Sequence, residues 1–166
     1  MKKIVCFAFL TLFLFTNSVF SQDKLPESGM GIRALYQDSH VGIQLPIWIS
    51  EKINVSPIIG LVYTDNPQLE LQFGVSPVIY LRKAQVSPFI GAVAGLIYTS
   101  PENGDAVTDY LIGLKSGGEY FVNSHFSIGI EAQLNIALAD DKSMRFGNPG
   151  SMNINTATAL WATIYF

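Results

Sequence analysis

Apolar and polar residues alternate with a period of two through most of this chain, most cleanly from His125 to Ala139. Phe126, Ile128, Ile130, Ala132, Leu134, Ile136 and Leu138 fall on one side of an extended strand there. Ser127, Gly129, Glu131, Gln133, Asn135 and Ala137 fall on the other. A helix, with its period near 3.6, would scatter those apolar residues around its axis. Leu69 to Arg82 follows the same rule, with Leu69, Leu71, Phe73, Val75, Pro77, Ile79 and Leu81 opposite Glu70, Gln72, Gly74, Ser76, Val78 and Tyr80. So does the segment ending at Phe166, where Met152, Ile154, Thr156, Thr158, Leu160, Ala162, Ile164 and Phe166 share a side. The pattern predicts eight strands, at about 29–37, 41–50, 53–64, 68–82, 85–99, 108–121, 125–139 and 151–166.

The connections carry a second regularity. Glu51-Lys52, Lys83-Ala84 and Val122 to Ser124 are all tight, and they are the second, fourth and sixth. The others are Asp38 to His40, Asp65 to Pro67, Pro101 to Val107 and Asp140 to Gly150, the last two being the longest. Short turns therefore gather at one end of the sheet and longer loops at the other, as in outer-membrane barrels. An even strand number then places both ends of the sheet on the tight-turn side.

Residues 1–21 depart from this pattern. Lys2 and Lys3 precede an apolar run from Ile4 to Phe15 broken only by Thr11, and Val19-Phe20-Ser21 resembles a signal-peptidase site. The expectation is a signal peptide over 1–21, a short periplasmic segment over 22–28, and an outer-membrane β-barrel over 29–166. A membrane anchor is the rival reading of the apolar run. Cys6 is the single cysteine, so cleavage would leave none for a disulfide, a thiolate or a sulfur-ligated metal.

Composition sharpens the case for a membrane. Hydrophobic residues make up 49% of the chain and charged residues only 14%, against about 25% in ordinary soluble domains. The formal charge is −3, and loss of Lys2 and Lys3 leaves 8 basic against 13 acidic residues, or −5. Nothing in this balance suggests a nucleic-acid surface. Strands of this length exceed the usual five or six residues, whereas a tilted strand crosses hydrocarbon in roughly 9–11. At that depth every backbone polar group needs a partner, so the sheet must close.

The apolar side would face lipid, leaving Arg33, Gln44, Glu70, Gln72, Lys115, Glu119, Glu131, Gln133 and Asn135 for the lumen. Eight strands leave an interior filled by side chains. The two cations and three carboxylates are therefore expected to pair, with Arg33, Glu70 and Glu131 as a group that packs the lumen shut. Tyr36, Tyr63, Tyr98 and Tyr120 lie near strand ends, where aromatic girdles sit. Pro46, Pro57, Pro77 and Pro88 each lack a donor, and Pro57, Pro77 and Pro88 are expected to mark bulges or irregular register near the tight-turn rim.

Several short motifs carry a resemblance. Gly118-Glu119-Tyr120-Phe121, a short turn and Phe126-Ser127-Ile128-Gly129-Ile130-Glu131 resemble a hairpin of the small eight-stranded outer-membrane β-barrels of Gram-negative bacteria, porin-like or opacity-type. Pro88-Phe89-Ile90-Gly91-Ala92 resembles a small-residue strand of the same family, and Ser21-Gln22 is similar to export signals of Bacteroidetes-type bacteria. The resemblance implies a closed up-and-down barrel and, in Tyr165 and Phe166, the signal read by the barrel-assembly machinery. Relatives of this kind include adhesins, stress barrels, narrow channels and a few enzymes, so no single activity follows.

Other chemistry is thin. His40 and His125 sit in connections at opposite ends and cannot share a site. His40 could approach Ser100, Asp105 or Asp109, and Asp140 with Asp141 could hold a cation, but neither spacing matches a known catalytic or calcium pattern. Gly113 to Gly118 lacks the full phosphate-loop pattern. Asn54-Val55-Ser56 matches a glycosylation acceptor, which is uninformative in a chain with a bacterial-looking export signal. The expectation is a monomeric, non-enzymatic barrel without cofactor or metal. Its structural or surface-interaction role would involve outer-membrane lipid and, during biogenesis, the assembly machinery. The alternatives are a narrow channel for small solutes and a soluble exported barrel with an apolar interior.

Overall fold

A computed structural model describes Leu25 and residues 29–37, 40–64, 68–147 and 149–166. The expected signal peptide, and with it the Ser21-Gln22 junction, lies outside the described residues. Nine strand segments follow in order: β1 (Gly29–Gln37), β2 (His40–Gln44), β3 (Ile47–Ser50), β4 (Ile53–Thr64), β5 (Gln68–Tyr80), β6 (Val86–Pro101), β7 (Val107–Phe121), β8 (Phe126–Leu138) and β9 (Met152–Tyr165). Each runs antiparallel to its neighbours, and β9 returns to β1 from Gly31↔Tyr165 to Gln37↔Ala159, which closes the sheet.

β2 and β3 are two halves of one stave. Both lie between β1 and β4, and Arg33↔Gln44 and Met30↔Ile47 keep a common register across the gap. The barrel thus has eight staves, but the single strand expected over 41–50 is interrupted at Leu45–Pro46. The cause is local. Pro46 has no N–H to give β1, and Pro57 opposite has none to give β2. Their carbonyls still accept, from Gly31 N at 2.8 Å and Leu45 N at 3.0 Å respectively, so the wall stays hydrogen-bonded.

The bulges expected at Pro57, Pro77 and Pro88 are absent. Pro57↔Val75, Pro77↔Val55 and Pro88↔Gly118 sit in unshifted ladders, and Pro77 merely leaves a gap between Val75↔Ala94 and Val78↔Gly91. A proline forfeits one donor without forcing an extra residue into the strand. The register shift falls instead between Trp48 and Ser50, beside the tight turn to β4.

Alternation sorts the side chains as the sequence predicts. Ile130, Leu134 and Leu160 are each 52% exposed on the outer wall, whereas Glu131 and Asn135 are 1% exposed within. Tyr36 is exposed outward, and Tyr98 and Tyr120 partly so; the Tyr63 side chain lies outside the described residues. The lumen is not uniformly polar or small, as the sequence suggested. Its tight-turn end holds Trp48, Tyr80, Phe89, Phe121, Trp161 and Tyr165 in tilted ring contact, with centroids 4.9–6.5 Å apart, and Leu25 rests against them. Aromatic side chains fill an eight-stranded interior at low entropic cost, and the hydroxyls of Tyr80 and Tyr165 reach the polar layer above.

Candidate functional site: the polar lumen and its loop

Glu119 is the hub of the layer above the aromatic floor. It is fully buried and accepts from Arg33 Nη2 at 3.2 Å and Tyr165 OH at 2.9 Å, and also from Tyr80 OH and Ser127 Oγ. Arg33 completes its own set with Nε to Thr163 Oγ1 at 3.0 Å and Nη1 towards Gln44 Oε1 at 3.5 Å. Its guanidinium carbon lies 4.6 Å from the Trp161 ring centroid. An ion taken out of water costs several kcal/mol unless paired and hydrogen-bonded, and here both conditions hold.

A second pair lies further along the lumen. Lys115 Nζ meets Glu131 Oε2 at 2.8 Å, with both side chains 1% exposed. Gln133 Nε2 donates to Glu131 Oε1 at 2.6 Å, and Asn135 Nδ2 donates to Gln133 Oε1 at 3.2 Å. Gln37 and Gln133 exchange longer amide contacts, and Gln72 Nε2 donates to Glu70 Oε1 at 2.7 Å.

The structure does not assemble Arg33, Glu70 and Glu131 as one group. Arg33 goes to Glu119, Glu131 to Lys115, and Glu70 to Arg145, a loop residue the sequence did not single out. The ladders explain the separation. Glu70 lies opposite Thr99 on β6 and so near the long loops, whereas Arg33 lies opposite Thr163 on β9, nearer the tight turns. Arg145 belongs to the connection between β8 and β9, which turns back over the open end. Arg145 Nε also approaches Asp109 Oδ2 at 3.8 Å. Asp109 holds the loop by accepting from Ser143 Oγ at 2.7 Å and Asp140 N at 2.9 Å.

Between the Lys115–Glu131 pair and this loop lies a cavity of about 210 Å³. Leu35, Val93 and Ile97 form part of its wall, Gln44, Gln133 and Asn135 another part, and Arg145 and Phe146 its outer side. Elsewhere the candidate chemistry disperses. His125 lies in the tight turn with Nδ1 2.9 Å from Ser124 Oγ, and the His40 side chain is outside the described residues. Asp140 spends its oxygens on Lys142 N at 3.0 Å and Thr108 N at 3.4 Å. Among the described residues no three His, Cys, Asp or Glu side chains are grouped to hold a metal. No helix there is long and apolar enough to cross a membrane, which does not bear on strands.

No protein-family model matches this sequence, and a search of curated proteins found no match. Two solved structures are similar. Neisserial surface protein A (NspA) has a TM-score of 0.56 at 13% identity, covering 82% of this chain and 93% of that one. The N-terminal β-barrel domain of Pseudomonas aeruginosa OprF has a TM-score of 0.55 at 11% identity, covering 86% and 98%. Identity this low speaks to architecture alone, and the architecture is that of the small eight-stranded outer-membrane β-barrels.

Proposed function

We propose that this protein is a non-enzymatic barrel of the outer membrane with a structural or surface-interaction role and a lumen closed by its own side chains. One observation carries the reading. Every Asp, Glu, Lys and Arg within the strands (Arg33, Glu70, Asp109, Lys115, Glu119 and Glu131) is buried inside, while the outer wall is apolar and exposed. Water would impose no such sorting on an outer wall. Hydrocarbon would, because a Lys or Arg facing lipid costs about 2–4 kcal/mol at mid-depth. A soluble barrel holding an apolar ligand needs the reverse orientation, with Ile128 or Leu134 inside. The tight turns would then face the periplasm and the loops at 102–106 and 139–151 the exterior. Tyr165 points inward to Glu119 while Phe166 is exposed, which leaves Phe166 available to the assembly machinery.

Membrane fractionation with unboiled and boiled gel migration tests this reading. The expected result is recovery in the outer membrane, extraction only by detergent, and a heat-dependent change of mobility. A freely soluble monomer would overturn it. The cavity favours a second reading, a narrow channel, which predicts discrete conductance steps in planar bilayers; a silent bilayer supports the closed barrel.

A further inference from the structure

The cavity has a composition that neither a filled plug nor an open pore requires. Its 210 Å³ is many times the roughly 10–15 Å³ that a single water needs, so it has room for several waters or one small solute. Gln37, Gln44, Gln72, Gln133, Asn135 and Asn155 all border it. Each primary amide carries two donor hydrogens and an oxygen with two lone pairs, more than their mutual bonds use. Between the amides lie Leu35, Val93 and Ile97, with Phe146 on the outer side.

Charge narrows the choice of occupant. Lys115 is answered by Glu131, and Arg145 by Glu70 and Asp109. An anionic ligand would meet three carboxylates against two cations, and a cationic one would lie beside Lys115 and Arg145 on the cavity wall, where Glu131 is already paired. A wholly apolar ligand would leave the amides' remaining donors and acceptors without partners. A neutral molecule with many hydroxyls satisfies both constraints: its hydroxyls meet the amides and its C–H faces meet the aliphatic and aromatic walls.

We propose that the loop-end half of the lumen binds one small uncharged polyhydroxylic molecule of monosaccharide size, with the connection between β8 and β9 as its lid. This rests on the barrel reading above. Arg145 latches the lid through Glu70 and Asp109, and Asp109 also fixes its base through Ser143 and the Asp140 N–H.

Saturation-transfer NMR on the full chain in detergent micelles tests the proposal, using glucose and xylose beside the charged sugars glucuronate and glucosamine. Transfer to the neutral sugars is expected, with the charged ones about tenfold weaker or more, which is roughly 1.4 kcal/mol. Gly42 borders the cavity, and a β-carbon added there meets nothing within 4 Å, so Gly42→Leu fills the site without a clash at its root. That variant should lose the signal. Arg145→Ala should exchange sugar faster in both directions. Absence of transfer to both wild type and Arg145→Ala, equal binding of charged sugars, or undiminished binding by Gly42→Leu would overturn the site. Unchanged exchange in Arg145→Ala would overturn the lid. Heat-modifiable migration is read on every sample, so failure in a folded barrel counts against the ligand site and a soluble chain against the barrel reading.

Discussion

A β-carbon on Gly129 would stand 2.3 Å from the indole of Trp161, so the glycine makes the recess in which that ring lies flat against the lumen wall. Trp161 in turn carries the Arg33 guanidinium on its face. Gly129→Ala must displace the indole and, with it, the arginine. The expected cost is about 1–3 kcal/mol, as for overpacking elsewhere, measured by urea unfolding in lipid vesicles. Gly118→Ala is the control, since an added β-carbon there meets nothing within 4 Å. Equal stability of the two variants would contradict the recess.

The Arg33–Glu119 pair makes a separate prediction. Glu119→Gln keeps the shape of the side chain but leaves the buried guanidinium without a counter-charge. Breaking such a pair on one side costs about 3–5 kcal/mol. The double variant Arg33→Met with Glu119→Gln removes the stranded ion and should recover part of that loss. A double-mutant cycle in vesicles reads the coupling, and strictly additive losses would show that the pair contributes nothing.

Which residues face inward was legible in the sequence because a two-residue period survives any error in strand ends; Glu131, Gln133 and Asn135 on β8 illustrate it. Which inward residues touch was not. Contact depends on the stagger between strands, and alternation is blind to stagger, so Arg33, Glu70 and Glu131 looked like one group although they belong to three pairs. Arg145 escaped for another reason. It lies in a loop that re-enters the lumen, and no periodicity announces that return. The aromatic floor had a visible signal: Trp48, Tyr80, Phe89 and Trp161 all occupy inward parity positions, next to residues read as polar or small.

The outer wall should reject charge according to depth. Leu134 lies well inside β8 and is 52% exposed outward. Leu134→Arg is expected to destabilise the barrel by about 2–4 kcal/mol in bilayers, whereas Met152→Arg, at the loop end of β9, should cost about 0–1 kcal/mol. Both are read from reversible denaturant unfolding into vesicles. Similar costs at the two positions would remove the depth gradient, and with it the inference that this wall meets hydrocarbon.

The two longest connections are tied by Lys142 and Asp105, both exposed. The hydrogen bond and charge of Lys142 hold the Asp105 carboxyl below its usual value of 3.8, and Asp105 holds the Lys142 ammonium above its own. A depressed carboxyl contributes above its free value and loses that contribution as pH falls through the bound one. A raised ammonium contributes below its free value and loses that contribution as pH rises through the bound one. The tether is therefore intact across neutral pH and releases on the acid side as Asp105 takes up its proton, and on the alkaline side as Lys142 loses one. Carboxyl-carbon NMR in micelles should place the Asp105 titration below that of a free aspartate, and Lys142→Ala should move it upward. Arg145 remains latched to Glu70 and Asp109 in that variant, so loosening should reach the 102–106 loop before it reaches the lumen mouth. Identical Asp105 titrations with and without Lys142 would show the loops to be independent.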